Sequence, residues 1–318
     1  MKILKTILLL SSTILTFSAF VLIYSPDFSA KKNRSFLLRD EGLSQLSFIN
    51  LANPSENWFQ PIPKGRDLQL IGKGKVMIGT ENGFEERLIS TGEKTGEITT
   101  FPETITARRL RNGNTILVGL NWENEKGIVL LEVNKEGSKI NKIVYPDFIY
   151  ARLLRETPQG NFLITANDLV VEGNRKGEIV WKAKVGGREN PHAWQAIRLP
   201  EGKTIVASGY GGSIQIFNEK SNLVKAFCGP EEKRGNFYSG LQILKNGNLV
   251  VANWQGHGPD QGNEGTQLLE FSADGKLVWS WKQDPTKFSS IQGVIILDHL
   301  DLDKLHFENE NGILNSKE

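Results

Sequence analysis

FYSGLQILKNGNLVVANWQGHGPDQGNEGTQLLEFSADGKLVWSWK, residues 237–282, decides the fold. Two short apolar runs flank Asn246-Gly247, a Gly-rich loop follows, and two more apolar runs flank Ala273-Asp274-Gly275. The pattern reads strand, turn, strand, loop, strand, turn, strand, with Gly supplying the positive φ of each tight turn. Such a unit cannot bury both of its faces alone, so copies must stack beside it.

The copies are present. The outer half recurs at 86–101, 127–145, 168–185, 212–227 and 266–281, with turn glycines read at 96, 137 and 177. The inner half recurs from Leu68, Arg108, Arg152, Gln195 and Leu241, and its turn glycines 74, 113, 160, 202 and 247 are spaced by 39, 47, 42 and 45 residues. A period of about 40–45 residues with four strands per period is the signature of a β-propeller. Five complete units leave two remnants, an outer hairpin at Leu46–Gln60 and an inner pair at 290–298 and 302–308. Joined, the remnants make a sixth blade, which removes the free sheet edges of an open array. The expected fold is all-β: a single six-bladed β-propeller of four-stranded antiparallel blades, closed by N- and C-terminal segments sharing one blade. Its expected bounds are 46–308, with a linker at 31–45 and a C-terminal tail at 309–318.

Ahead of the linker, residues 1–30 contain an apolar run at 6–24 behind Lys2 and Lys5. It reads as a cleaved export signal or an uncleaved anchor, and the residues leave both open. The body is therefore expected outside the cytoplasmic membrane, periplasmic or extracellular, and monomeric. Net charge over the 318 residues is +2 and no basic stripe is present, which argues against nucleic acid. Cys228 has no second cysteine to pair with and, after an apolar strand, is expected to be a packed thiol. Trp58, Trp181, Trp279 and Trp281 fall on last strands of blades and are expected to pack between blades or on the rim.

Function is sought in the loops that precede inner strands and follow second strands, because these share one face. They supply Arg108, Arg152, His192, Trp194, Tyr238 and Gln292, and then Asn121, Trp122, Tyr210, Asn253, Trp254 and His257. Asn-Trp recurs at 121–122 and 253–254, and His192 and His257 each lie near a Trp. Aromatic faces with amides and arginines suit a polar, planar or sugar-like ligand, and arginines fork onto carboxylate, sulfate or phosphate. The expected function is a binding module for a small molecule, a glycan or an envelope protein. The alternative is an enzyme, a transferase or lyase using His192 and His257 with Arg108 and Arg152. Replacing Trp254 and His257 is expected to cost little stability. No His-x-His, His-Glu-x-x-His or Cys pair suggests a metal, and no cofactor is expected.

The hairpins 110–118, 244–252, 175–181 and 272–279 resemble those of the quinoprotein-like β-propeller superfamily, within the broader YVTN-like group. The resemblance covers about 46–298 and implies the propeller fold. The larger quinoprotein dehydrogenases carry calcium-ligating acids and often a vicinal cysteine pair; a lone cysteine here argues against a bound quinone. A second resemblance is to six-bladed bacterial arylsulfotransferases, through His192 ahead of Leu199-Pro200-Glu201-Gly202. It implies a histidine nucleophile, with Arg108 and Arg152 neutralising sulfate.

Overall fold

The computed structural model describes residues 33–316. The run 6–24, and with it the signal-or-anchor reading, lies outside the described residues. Among the described residues no helix is long and apolar enough to cross a membrane. Six four-stranded antiparallel sheets form the blades of a propeller. Five are continuous in sequence, at 68–98, 106–145, 154–184, 195–227 and 237–281, each running from the axis outward; they are blades 2 to 6.

Blade 1 closes the ring. Its innermost strand is β24 (Ile291–Ile296), followed outward by β1 (Ser35–Asp40), β2 (Gln45–Asn50) and β3 (Trp58–Pro61). The sharing is one strand from the C-terminal side and three from the N-terminal side, not two and two. The second strand is SFLLRD, inside the segment read as linker. Phe36, Leu37 and Leu38 are all fully buried, because a strand inside a stack of blades is covered on both faces. Such a strand reads as a continuous apolar run, and a search for alternation passes over it.

The core is distributed. One apolar cluster lies at each of the six blade interfaces, for example Phe36, Leu38, Val250 and Ile291 between blades 6 and 1. The last-strand tryptophans serve these layers and the rim: Phe36 meets the rings of Trp279 and Trp281 edge-on, Trp58 stacks on Phe48, and Arg198 covers Trp181. Near the axis the blades are joined by glutamine amides. Gln69 binds both the N–H and the C=O of Arg109, and Gln195 does the same to Leu241 and Gln242 to Ile296. Each buried amide thus satisfies a donor and an acceptor of the next inner strand.

Residues 302–308 do not enter blade 1. His306–Glu308 (β25) pairs with Leu314–Ser316 (β26), a hairpin built partly from the segment expected to be a tail. Bridges Ile71–Leu305 and Ile243–Ile313 hold it across the bottom of the axis. Glu308 enters the axis there. Arg108 donates to both of its oxygens at 3.2 Å and Arg155 to one at 3.0 Å, while Arg155 forks onto Asp67 at 2.7 and 2.9 Å. Four charges from blade 2, blade 3, blade 4 and the hairpin therefore compensate one another out of water. Burial pushes the Glu308 carboxyl up, but the Arg108 and Arg155 guanidiniums outweigh it and hold it below the usual 4.5.

Two local readings are corrected. The outer turn of blade 2 is centred on Gly92 (φ +72°), and Gly96 sits in strand Lys94–Ile98 opposite Glu86. Cys228 is exposed, because it follows the outermost strand of its blade at the rim rather than lying within a packed layer.

Replacing Glu308 with Gln should leave Arg108 and Arg155 under-compensated and cost about 3–5 kcal/mol in urea unfolding. Because the folded pKa is depressed, the wild-type contribution is full above the unfolded value near 4.5 and is lost as the pH falls through the folded value. The stability gap between wild type and Glu308→Gln should accordingly narrow below that pH.

Candidate functional site

The inner strands all start at the same end of the axis, and the opposite end is closed by the C-terminal hairpin. The open end is a cavity of about 550 Å³. Trp194 is its floor: it lines both this cavity and a void of about 40 Å³ further down the axis. Trp194 precedes β16 (Gln195–Arg198) of blade 5, and from across the ring Arg66 of blade 2 reaches it, with the guanidinium carbon 5.8 Å from the ring centroid.

One wall is aromatic. Phe237 touches Trp194, Tyr210 and Trp254 edge-on at 5.2, 4.7 and 5.2 Å between centroids, and His257 lies 4.7 Å from Trp254. Edge-to-face contacts of this kind fix ring orientation as well as burying area. The facing wall is polar, with Lys64, Glu81 and Glu103, while Glu41 stands beside Trp254 and His257.

Arg152 is clamped between rings, 4.7 Å from Trp194 and 5.0 Å from Tyr150. Its Nη2 donates to Nδ1 of His192 at 2.9 Å. The His192 ring therefore carries its proton on Nε2 and is neutral, which agrees with burial and Arg152 both lowering its pKa below 6.5. Burial likewise pulls Arg152 down to about 10. His257 is arranged the other way round. Its Nδ1–H donates to Glu41 at 3.0 Å, and the second Glu41 oxygen accepts from Trp254 Nε1 at 3.1 Å. This leaves the His257 Nε2 lone pair free on an exposed ring.

The cavity thus gathers Arg152, His192, Trp194, Tyr210, Trp254, His257 and Gln292 from the residues expected of it. The others stand elsewhere. Strand Thr106–Arg109 begins earlier than the repeats suggest, so Arg108 points along the axis to Glu308. Asn121 caps a turn by accepting from Gly127 N–H, and Trp122 lies over Gly119 with its indole N–H on Pro102 C=O. Tyr238 is fully buried, with its hydroxyl accepting from Gly229 N–H. Asn253 is buried too, accepting from the N–H groups of Asn236 and Phe237 and donating to Thr266 C=O. The repeated Asn-Trp is therefore two different turn devices, and only Trp254 reaches the cavity.

Lys64, Glu81 and Glu103 of the cavity were not anticipated, nor were Arg66 and Glu41. Arg66 precedes an inner strand, as Trp194 does, and the repeat position alone would have found it. Glu41 was hidden by reading 31–45 as linker. His192 and His257 share the cavity, but Phe237 and Trp254 stand between them.

Trp254 is only 6% exposed, within the cluster of Leu153, Trp194 and Phe237, so the expectation that it is dispensable for stability is overturned. Trp254→Ala should cost about 3–5 kcal/mol by urea unfolding. His257→Ala, with an 81% exposed side chain, should shift stability by less than about 0.5 kcal/mol.

No family model and no curated protein sequence matches the chain. Solved structures do. A protein of unknown function from Bacteroides caccae is 25% identical, with a TM-score of 0.66 over 84% of this chain and 100% of that one. Regucalcin, a calcium-binding protein of Agrobacterium tumefaciens, is 16% identical with a TM-score of 0.54 over 82% and 90% of the two chains. A catalytically inactive virginiamycin B lyase from Staphylococcus aureus, crystallised with quinupristin, is 11% identical with a TM-score of 0.52 over 79% and 86%. These likenesses show the fold alone, a six-bladed propeller.

Proposed function

We propose that this protein binds a small molecule in the open end of its axis. The observation that carries the reading is the cavity of about 550 Å³, floored by Trp194 and lined on one side by rings and on the other by charges. That volume lies within the usual range of ligand sites, roughly 300–1,000 Å³, and convergent polar groups over an apolar wall are what such sites use to orient a ligand. The closed far end makes the axis a pocket and not a conduit. A glycan or an envelope protein would instead call for a broad outer surface, and the polar and aromatic groups here are concentrated inside the mouth. The reading also places the protein outside the cytoplasmic membrane as a monomer, with residues 6–24 as its export signal or anchor. N-terminal sequencing of the exported product distinguishes the two.

Catalysis is a second reading, and the Glu41–His257 pair favours it. A carboxylate on Nδ1–H orients the ring and leaves Nε2 free to accept a proton, as a general base requires. His192 does not fit the nucleophile role that the sulfotransferase resemblance implies. With Nδ1 taken by Arg152, its Nε2 carries the proton and can only donate.

Native mass spectrometry of protein purified without denaturant should find a retained small molecule, displaced in a Trp254→Ala variant. A pocket that stays empty when exposed to an extract of the source cells would contradict the binding reading. In the same extract, a compound consumed by the wild type and spared by His257→Gln would establish the catalytic one.

A further inference from the structure

The arginines of the mouth, Arg66 and Arg152, are half-buried and differ from the buried arginines in what they face. Along the axis and between blades, buried guanidiniums have acceptors: Arg34 has Glu270 and Asp298, Arg108 and Arg155 have Asp67 and Glu308, Arg87 has Glu85, and Arg39 has the carbonyls of Gly79 and Pro63. Arg66 and Arg152 have none of this kind. The Arg66 guanidinium makes no hydrogen bond or ion pair among the described residues, and no carboxylate lies within 4.0 Å of either. Arg152 keeps one polar contact, to His192, and its Nε is buried without a partner.

Both guanidiniums rest on the same indole, Trp194; burial lowers the pKa of each, and the Arg66 charge lowers that of Arg152 further. Glu41 acts on Arg66 only from beyond ion-pair contact; two half-buried like charges over one ring, with no carboxylate in contact, are a costly arrangement unless an anion completes it. Their setting is fixed by backbone: Asp67, in the left-handed region at φ +75°, turns its own carboxylate down the axis to Arg155 while Arg66 stays in the mouth.

We propose that the ligand of this pocket is a planar organic monocarboxylate whose carboxylate is gripped by Arg66 and Arg152 over Trp194. This rests on the small-molecule reading above and narrows it to one chemical class. Guanidinium forks match the planar two-oxygen geometry of a carboxylate, and the Nε2–H of His192 adds a donor that cannot accept. The flat body lies along the ring wall of Tyr210, Phe237 and Trp254. Glu81 and Glu103 on the facing rim, with Glu41 beside Trp254, repel a second negative charge, which disfavours polyphosphates and dicarboxylates.

The test is calorimetric titration of the whole protein with three probes sharing one ring system: 2-naphthoate, neutral 2-naphthamide and cationic 2-naphthylmethylammonium. Naphthoate should bind at least about tenfold more tightly than the amide, and the ammonium should bind weakest. Arg66→Gln and Arg152→Gln, each shown folded by its unfolding curve, should weaken naphthoate by about 10- to 100-fold and leave the amide nearly unchanged. Because Arg152 is packed and Arg66 is not, the Arg66 variant keeps the test usable if the other is destabilised. Equal binding of the amide or the ammonium overturns the carboxylate inference while the pocket remains a small-molecule site. If no probe binds but a different compound is retained in the mouth, the inference again falls alone. If nothing binds there at all, both fall.

Discussion

The hydrogen-bond ladder between β24 and β1 is the contact on which the molecule depends. It joins residues more than 250 positions apart, pairing Phe36 with Ile296 and Leu38 with Val294. Without it the five continuous blades would end in two open edges, and the starts of the inner strands would not face one mouth. The closure also delivers a residue to the cavity. Asp40, at the end of β1, accepts from the N–H groups of Ser289 and Ser290 at 2.6 and 3.0 Å. Burial raises its pKa, and those N–H bonds lower it in part. The next residue, Glu41, is thereby set between Trp254 and His257.

Charge is handled in two opposite ways along one axis. At the closed end, Asp67, Glu308, Arg108 and Arg155 form a balanced quartet that anchors the C-terminal hairpin. At the open end, Arg66 and Arg152 share one indole, with no carboxylate in ion-pair contact with either among the described residues. The two regimes are separated by Trp194 and joined by the adjacent residues Arg66 and Asp67, one in each. The buried arginines elsewhere meet oxygen acceptors, whereas these two half-buried ones meet no carboxylate or carbonyl among the described residues.

How much of this could be read in the sequence follows from what repeats expose. The blade count came from turn glycines such as Gly113 and Gly247, whose positive φ values are a local demand. SFLLRD was lost because burial on both faces erases alternation. Seven of the residues expected on the loop face do line the cavity, since a repeat fixes which face a loop emerges on. It could not fix side-chain direction: Arg108 and Arg152 look equivalent in the sequence, yet one points down the axis to Glu308 and the other lies in the mouth. The clasp of Gln69, Gln195 and Gln242 on the next blade is a non-local contact that no single repeat shows. The partnerless state of Arg66 is likewise a property of the assembled ring, because it depends on Asp67 turning away to Arg155 of blade 4.

A crystal structure of the protein grown with 2-naphthoate addresses the central claim most directly. The account places the carboxylate within hydrogen-bond distance of both the Arg66 and Arg152 guanidiniums, with the ring against Tyr210 and Trp254. A carboxylate bound away from these two arginines, or a mouth in which protein carboxylates already neutralise them, would contradict it.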